Sequence, residues 1–183
     1  DYSSSVFYGV ARTIKNPNRI TRSKARSAQD IDAGLVELAD DLATQIKLDN
    51  KTLFLIGPGN STHSIIEHFD KDCDVRGVNA LHAGKVIGVD LSESEILDLL
   101  AKYPVAQIIV GVIGGQGFLF GRGNQQLSGA VISRVGWKNI TIIASESKVL
   151  ALFPAELLVE LNEYDSSIPR YLKVRTSSCL LYT

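Results

Sequence analysis

The stretch Ile108-Ile109-Val110-Gly111-Val112-Ile113-Gly114-Gly115-Gln116-Gly117-Phe118-Leu119-Phe120-Gly121-Arg122-Gly123-Asn124-Gln125-Gln126 sets the frame for the rest of the chain. An apolar run stops at a double glycine. Such a run reads as a buried parallel strand that delivers bare backbone to a site at its carboxyl end. Five glycines fall within the ten residues 114–123. Glycine costs chain entropy, so this density needs a reason. An anion cradled by successive N–H groups is one reason. Arg122 adds a planar fork of donors that fits phosphate or carboxylate. A tight turn in which Arg122 pairs with a local carboxylate is the other reading.

A second segment repeats the arrangement. Thr52-Leu53-Phe54-Leu55-Ile56 reads as a buried strand, followed by Gly57-Pro58-Gly59-Asn60-Ser61-Thr62 and a short helix over 64–69. Asn60 or Ser61 would cap that helix. Phosphate or ribose contact competes here with plain capping. The spacing matches neither the three-glycine dinucleotide fingerprint nor the Gly-Lys-Ser/Thr phosphate loop.

Working outward, Ile31, Leu35, Leu38, Leu42 and Ile46 recur at helical spacing and predict a helix over 28–47. Val75–Val78 predicts a strand feeding Asn79–Lys85, and a second apolar run covers 86–91. Ser92 and Glu95 form a capping box for a helix to Tyr103, which Pro104 ends. A strand over 106–113, a helix from Ser128 stopped by Gly136, a strand at 140–144 and a short helix over 145–152 follow. Leu157–Leu161 and Arg170–Arg175 predict a terminal hairpin that would give the sheet an antiparallel edge. This alternation predicts an α/β fold, mainly a parallel sheet with helices on both faces. At the start of the chain, 6–10 predicts a strand and 12–27 a basic loop, either solvated or steering a phosphorylated ligand.

Composition narrows the function. The chain has 183 residues, a formal net charge of −1 and 45% apolar content, enough for one well-buried domain. The charge argues against nucleic acid as a main partner. No apolar run is long enough for a membrane helix, and no secretory signal opens the chain. Cys73 and Cys179 are too few for a disulfide scaffold and read as reduced thiols of a cytoplasmic protein. Methionine is absent, which leads us to expect a piece or processed product of a longer protein.

Between the two glycine loops lie His82, Lys85 and Asp90. Lys85 is a candidate phosphate contact, or a solvated lysine. Asp90 is a candidate metal carboxylate, hydroxyl acceptor or general base, or simply the residue before a helix. His82 reads as a core or rim histidine. Asn124, Gln125 and Gln126 carry paired donors and acceptors suited to an amide, a base edge or a ribose.

The segments LFLIGPGNST, LHAGKVIGVDLSESEILDLL and IGGQGFLFGRGNQQLSGAVISRVGWKNITIIAS resemble the carboxyl-terminal part of the predicted ATP-NAD kinase family, in the branch of the AcoX proteins of acetoin catabolism. The resemblance runs through most of the chain. It implies functional glycines at Gly57, Gly59, Gly84, Gly114, Gly115, Gly117, Gly121 and Gly123. It implies polar site residues at Asn60, Thr62, Lys85, Asp90, Gln116, Arg122, Asn124 and Gln125. The activity implied is kinase-like transfer of a phosphoryl group from ATP, or another phosphate donor, with magnesium (Mg2+), onto NAD or a related small molecule, giving NADP in the NAD case. Lys85 and Asp90 would be catalytic, and Asp90 would hold the metal. A non-catalytic nucleotide- or sugar-phosphate-binding regulatory module is the alternative.

Kinases of this superfamily carry a Gly-Gly-Asp-Gly-Thr motif in an amino-terminal domain. Here Gly114-Gly115-Gln116-Gly117 has glutamine in the comparable place. The expectation is therefore residues 1–183 as a single α/β domain, the carboxyl-terminal part of a two-domain enzyme, incomplete for catalysis without that missing domain in cis. A homodimer or tetramer is expected from base rates and from an unpaired last strand.

Overall fold

A computed structural model describes residues 33–70, 73–113, 117–152, 156–161, 168–176 and 179–182. The candidates Gly114, Gly115 and Gln116, the strand over 6–10 and the basic loop 12–27 lie outside the described residues.

The chain order is α1 (Ala33–Leu48), β1 (Leu53–Ile56), α2 (Asn60–Ile66), β2 (Asn79–His82), β3 (Lys85–Gly88), α3 (Glu93–Lys102), β4 (Ala106–Gly111), β5 (Phe118–Phe120), α4 (Gly129–Val135), a 3-10 turn at Trp137–Asn139, β6 (Ile140–Ile143), α5 (Glu146–Leu150), β7 (Leu158–Val159), β8 (Lys173–Thr176) and β9 (Cys179–Tyr182). Seven strands form one mixed sheet in the order β3-β2-β1-β4-β6-β8-β9, and β5 pairs with β7 in a separate small sheet. The central strands β1, β4, β6 and β8 run parallel. The β2–β3 hairpin and β9 close the two edges antiparallel.

Each central strand is apolar on both faces because helices cover both. Leu53 and Leu55 of β1, with Ile108 and Val110 of β4, pack beneath Ile96 and Leu100 of α3 and Val131 and Ile132 of α4. Phe54 and Ile56, with Ile109 and Ile143, pack beneath Leu38, Leu42 and Ile46 of α1 and Ile65 and Ile66 of α2. The period of two along the strands thus serves two cores at once. Trp137 closes one end, edge-on to Phe120 at 5.8 Å between ring centres.

Local signals set the helix ends. Ser92 and Glu95 make the expected capping box on α3. Ser128 and Ser145 each accept a backbone N–H at the start of α4 and α5. α2 differs: Gly59 occupies its N-cap and no side chain caps it, so neither Asn60 nor Ser61 plays that part.

Two segments depart from the expected pattern. The strand expected at Val75–Val78 begins later, at Asn79, since Val75–Gly77 forms a turn whose Asp74 carboxylate binds the Arg76 N–H. The terminal hairpin pairs differently. Leu158–Val159 runs parallel to β5, and the antiparallel partner of β8 is β9. Val174 is fully buried, so β8 is an inner strand that needs a neighbour on its far side. Among the described residues no helix is long and apolar enough to cross a membrane.

Candidate functional site

β1 and β4 are adjacent and parallel, so Gly57 and Gly111 leave the sheet at the same edge. The two exits diverge. The chain after β1 enters α2, packed over one face, whereas the chain after β4 reaches α4, packed over the other. Adjacent strands whose outgoing connections part to opposite faces leave a crevice between them, the usual position of a ligand in an α/β sheet.

The wall from β1 is built of backbone. The Gly57 N–H donates to the Ile109 carbonyl at 2.8 Å, continuing the ladder one residue past the strand. A Cβ on Gly57 would meet Val110 Cγ2 at 3.3 Å and Leu127 Cδ1 at 3.6 Å. The Gly59 N–H donates to the Val75 carbonyl at 2.8 Å. Gly59 has φ of 119°, and no atom lies within 4 Å of where its Cβ would be, so its bare face opens to space. Asn60 is exposed beside it. Thr62 is fully buried, and its hydroxyl donates to the Gly59 carbonyl at 2.8 Å, which fixes the turn from below.

Ser61 is 4% exposed and accepts a 3.1 Å hydrogen bond from Lys148 Nζ, 87 residues away in sequence. Lys148 stands in the first turn of α5, just past β6. This contact joins the ends of β1 and β6 across the end of β4, where Gly111 offers no side chain. A Cβ there would lie 3.6 Å from Ser61 Cβ. Ser145 Oγ accepts the Lys148 backbone N–H and lies 3.1 Å from Ser147 Oγ, so the base of the lysine is held in place.

The other candidates fall in three places. Asp90 stands at the same edge as Gly57, because its N–H donates to the Asn79 side chain and Asn79 pairs with Ile56. It is exposed, has φ of 49°, and sits on Gly77, where any Cβ would overlap it. Lys85 is at the opposite edge. It pairs with His82, which pairs with Leu53 at the amino end of β1. The hairpin between β2 and β3 carries Lys85 and Gly84 to the end of the strands opposite Gly57 and Asp90, so the structure does not bring Lys85 together with Asp90. His82 stacks at 4.4 Å on Tyr103, with Nδ1 3.2 Å from the Thr52 carbonyl, a rim histidine as read from the sequence.

The remaining glycine-loop residues are engaged with β7. A Cβ on Gly121 would overlap the Glu160 carbonyl, and one on Gly117 would meet the Glu156 carbonyl at 2.9 Å. Arg122 Nε pairs with Glu160 Oε2 at 3.2 Å, and its guanidinium covers the Phe118 ring at 4.2 Å. Asn124 is 2% exposed and pins the loop through the Leu119 carbonyl and the Gly121 N–H. Gly123 has φ of 73°, and Gln125 is exposed. Gln126 Oε1 is buried and makes no hydrogen bond.

Charge around the crevice is organised locally. Arg76 holds the Asp74 carboxylate by side-chain and backbone hydrogen bonds, lowering its pKa to about 2. The Arg76 pKa is raised, first by that bond and further by the Asp74 and Asp90 charges. Among the described residues no three His, Cys, Asp or Glu side chains gather into a metal-sized group. That donor set does not fit an all-protein metal cage.

Sequence order hid Lys148. Its surroundings, Ser145-Glu146-Ser147-Lys148 directly after an apolar strand, carry none of the Gly and Pro residues that marked Gly57–Ser61. The chain matches no family model, no curated protein and no solved structure.

Proposed function

We propose that this chain holds the phosphates of a nucleotide in the crevice between the carboxyl ends of β1 and β4. The binding would serve kinase-like phosphoryl transfer from ATP, or another phosphate donor, to NAD or a related small molecule. The observation that supports this reading is the divergence of the two outgoing connections at Gly57 and Gly111, with open space at the Gly59 Cβ position in the loop that follows β1. Phosphoryl transfer asks a protein mainly for positioning and for charge compensation. In this chain the backbone N–H groups at the start of α2, those of Asn60 and Ser61, would position the phosphates. Asp90 would hold magnesium or orient the acceptor hydroxyl. Lys85, lying at the other edge, has no part in this site.

A second reading is a non-catalytic nucleotide- or sugar-phosphate-binding regulatory module. One observation favours it: Asp90 is exposed, and among the described residues no three His, Cys, Asp or Glu side chains form a group that could hold a metal ion.

The test is calorimetric titration of the full-length protein with ATP, NAD and sugar phosphates, with and without magnesium, alongside an assay for NADP. Binding with NADP formation supports transfer. Binding without turnover selects the regulatory module. No binding of any phosphorylated ligand overturns both.

A further inference from the structure

We infer that Asn79 is a positioning residue, which fixes the Asp90 carboxylate at the carboxyl edge of β1 by tying down the backbone on which it stands. The inference rests on the phosphoryl-transfer reading, in which Asp90 orients the acceptor hydroxyl, and it names the residue that aims it.

Asn79 opens β2 opposite Ile56 and is 3% exposed. Both ends of its amide are used. Nδ2 donates to the Asp74 carbonyl at 3.3 Å, and Oδ1 accepts the Asp90 N–H at 3.2 Å. One buried side chain thus joins the turn before β2 to the segment after β3. The next residue is tied as well, since the Leu91 N–H donates to the Val78 carbonyl at 2.8 Å. Between these two bonds Asp90 takes φ of 49°. Left-handed backbone at a non-glycine residue persists only where its surroundings over-determine it, and here Asn79, Val78 and Gly77 do so. The Asp90 side chain lies on Gly77, where any Cβ would overlap its Oδ1 and Cα. The turn before β2 is bound in its turn to the loop after β1, through the Gly59 N–H and the Val75 carbonyl at 2.8 Å. A run of contacts therefore links Asp90 to the end of β1.

The carboxylate itself is left available. Asp90 is exposed, and among the described residues no ion pair holds it. Arg76, whose guanidinium feels the Asp90 charge, spends its N–H groups on Asp74 through bonds of 3.0 and 2.8 Å. A carboxylate that is unpaired but rooted is what a hydroxyl acceptor needs. Its oxygens are open to the substrate proton, and its direction is set before substrate arrives. Asparagine suits the rooting task because one neutral side chain both donates and accepts. Aspartate there would lose the donor and add a negative charge beside Asp74 and Asp90. Alanine would take both bonds away and let the backbone at Asp90 relax.

The experiment measures NADP formation from ATP and NAD by the full-length protein, for wild type, Asn79→Ala, Asp90→Asn, the double variant and the distant control Asp49→Asn. Urea unfolding of each gives its stability. Asp90→Asn is expected to lower kcat by about 100-fold or more. Asn79→Ala is expected to lower kcat by about tenfold or more, with the KM for ATP unchanged within about twofold. In the Asp90→Asn background the same Asn79→Ala change should cost less than about twofold, since a residue that acts through Asp90 has nothing left to aim. A merely structural Asn79 would cost the same factor in both backgrounds. Asp49→Asn, which loosens the opposite edge of the sheet, should leave kcat unchanged. If wild type forms NADP and Asn79→Ala keeps full kcat, or loses equal factors in both backgrounds, the inference falls and the transfer reading stands. If wild type forms no NADP, the transfer reading falls and takes the inference with it. Should Asn79→Ala fail to fold, Asn79→Ser reads the same cycle.

Discussion

Replacing Gly121 by alanine tests whether the second glycine loop is shaped by packing. Gly121 has φ of 95°, and a Cβ on it would overlap the Glu160 carbonyl. Two costs combine. The left-handed backbone costs an L-residue roughly 1–2 kcal/mol. The overlap must push the β7 segment away, straining the 3.0 Å bond from the Glu160 N–H to the Phe120 carbonyl, a contact of about 1 kcal/mol. The exposed Arg122–Glu160 pair adds little. The sum is about 2–3 kcal/mol. Two further glycines separate the terms. Gly123 has φ of 73° with only Ile113 Cδ1, at 3.9 Å, near its Cβ position, so Gly123→Ala carries the backbone cost alone, about 1–2 kcal/mol. Gly129 opens α4 with free space around it and no positive φ, so Gly129→Ala should be neutral or stabilising by up to about 0.5 kcal/mol. Urea unfolding followed by circular dichroism gives all three numbers, provided the slope with denaturant is unchanged. A Gly121→Ala cost no larger than that of Gly123→Ala would refute the packing account. The glycine would then need another reason, such as close approach of a ligand.

Three more outcomes follow from single contacts. Asn124→Ala should cost about 2–4 kcal/mol in urea unfolding, because it strips partners from the Leu119 carbonyl and the Gly121 N–H, whereas exposed Gln125→Ala should stay within about 0.5 kcal/mol; equal effects would refute the assignment. Ser92→Ala should lower stability by about 1 kcal/mol by opening the α3 capping box, and an unchanged thermal midpoint would contradict it. Asp49 has its pKa lowered, first by the Thr52 hydroxyl and then by the Lys51 and Thr52 N–H groups. A lowered folded pKa contributes stability above the unfolded value near 4 and loses it as pH falls through the folded one. The difference in thermal midpoint between wild type and Asp49→Asn should therefore be constant above about pH 5 and shrink below about pH 4; a constant difference down to pH 2 would sink the point.

Much of the fold was legible because it rests on local signals. The apolar runs at Leu53–Ile56 and Ala106–Gly111, the 3.6-residue spacing from Leu35 to Ile46 and the Ser92–Glu95 box each carry their structure within a few residues. What could not be read is pairing at a distance. Leu158–Val159 looks like an edge strand of the main sheet, and only the Gly117 and Gly121 contacts show why it joins β5. Lys85 lies between the two glycine loops in sequence, yet one hairpin reversal places it at the far end of β1. The Ser61–Lys148 contact spans 87 residues and leaves no periodic trace at all.

β1 has antiparallel β2 on one side and parallel β4 on the other, so it is the seam between two differently built halves of the sheet. All four of its residues are buried, and its two partners come from later, separate parts of the chain. Neither half can be detached without unzipping that strand. Protection against amide exchange should therefore peak there, and any partly open form should retain β1 while shedding the outer hairpins. The carboxyl end of β1 is thus the most durable part of the molecule, while Asp90, just past the outer β2–β3 hairpin, rides on a piece free to yield first.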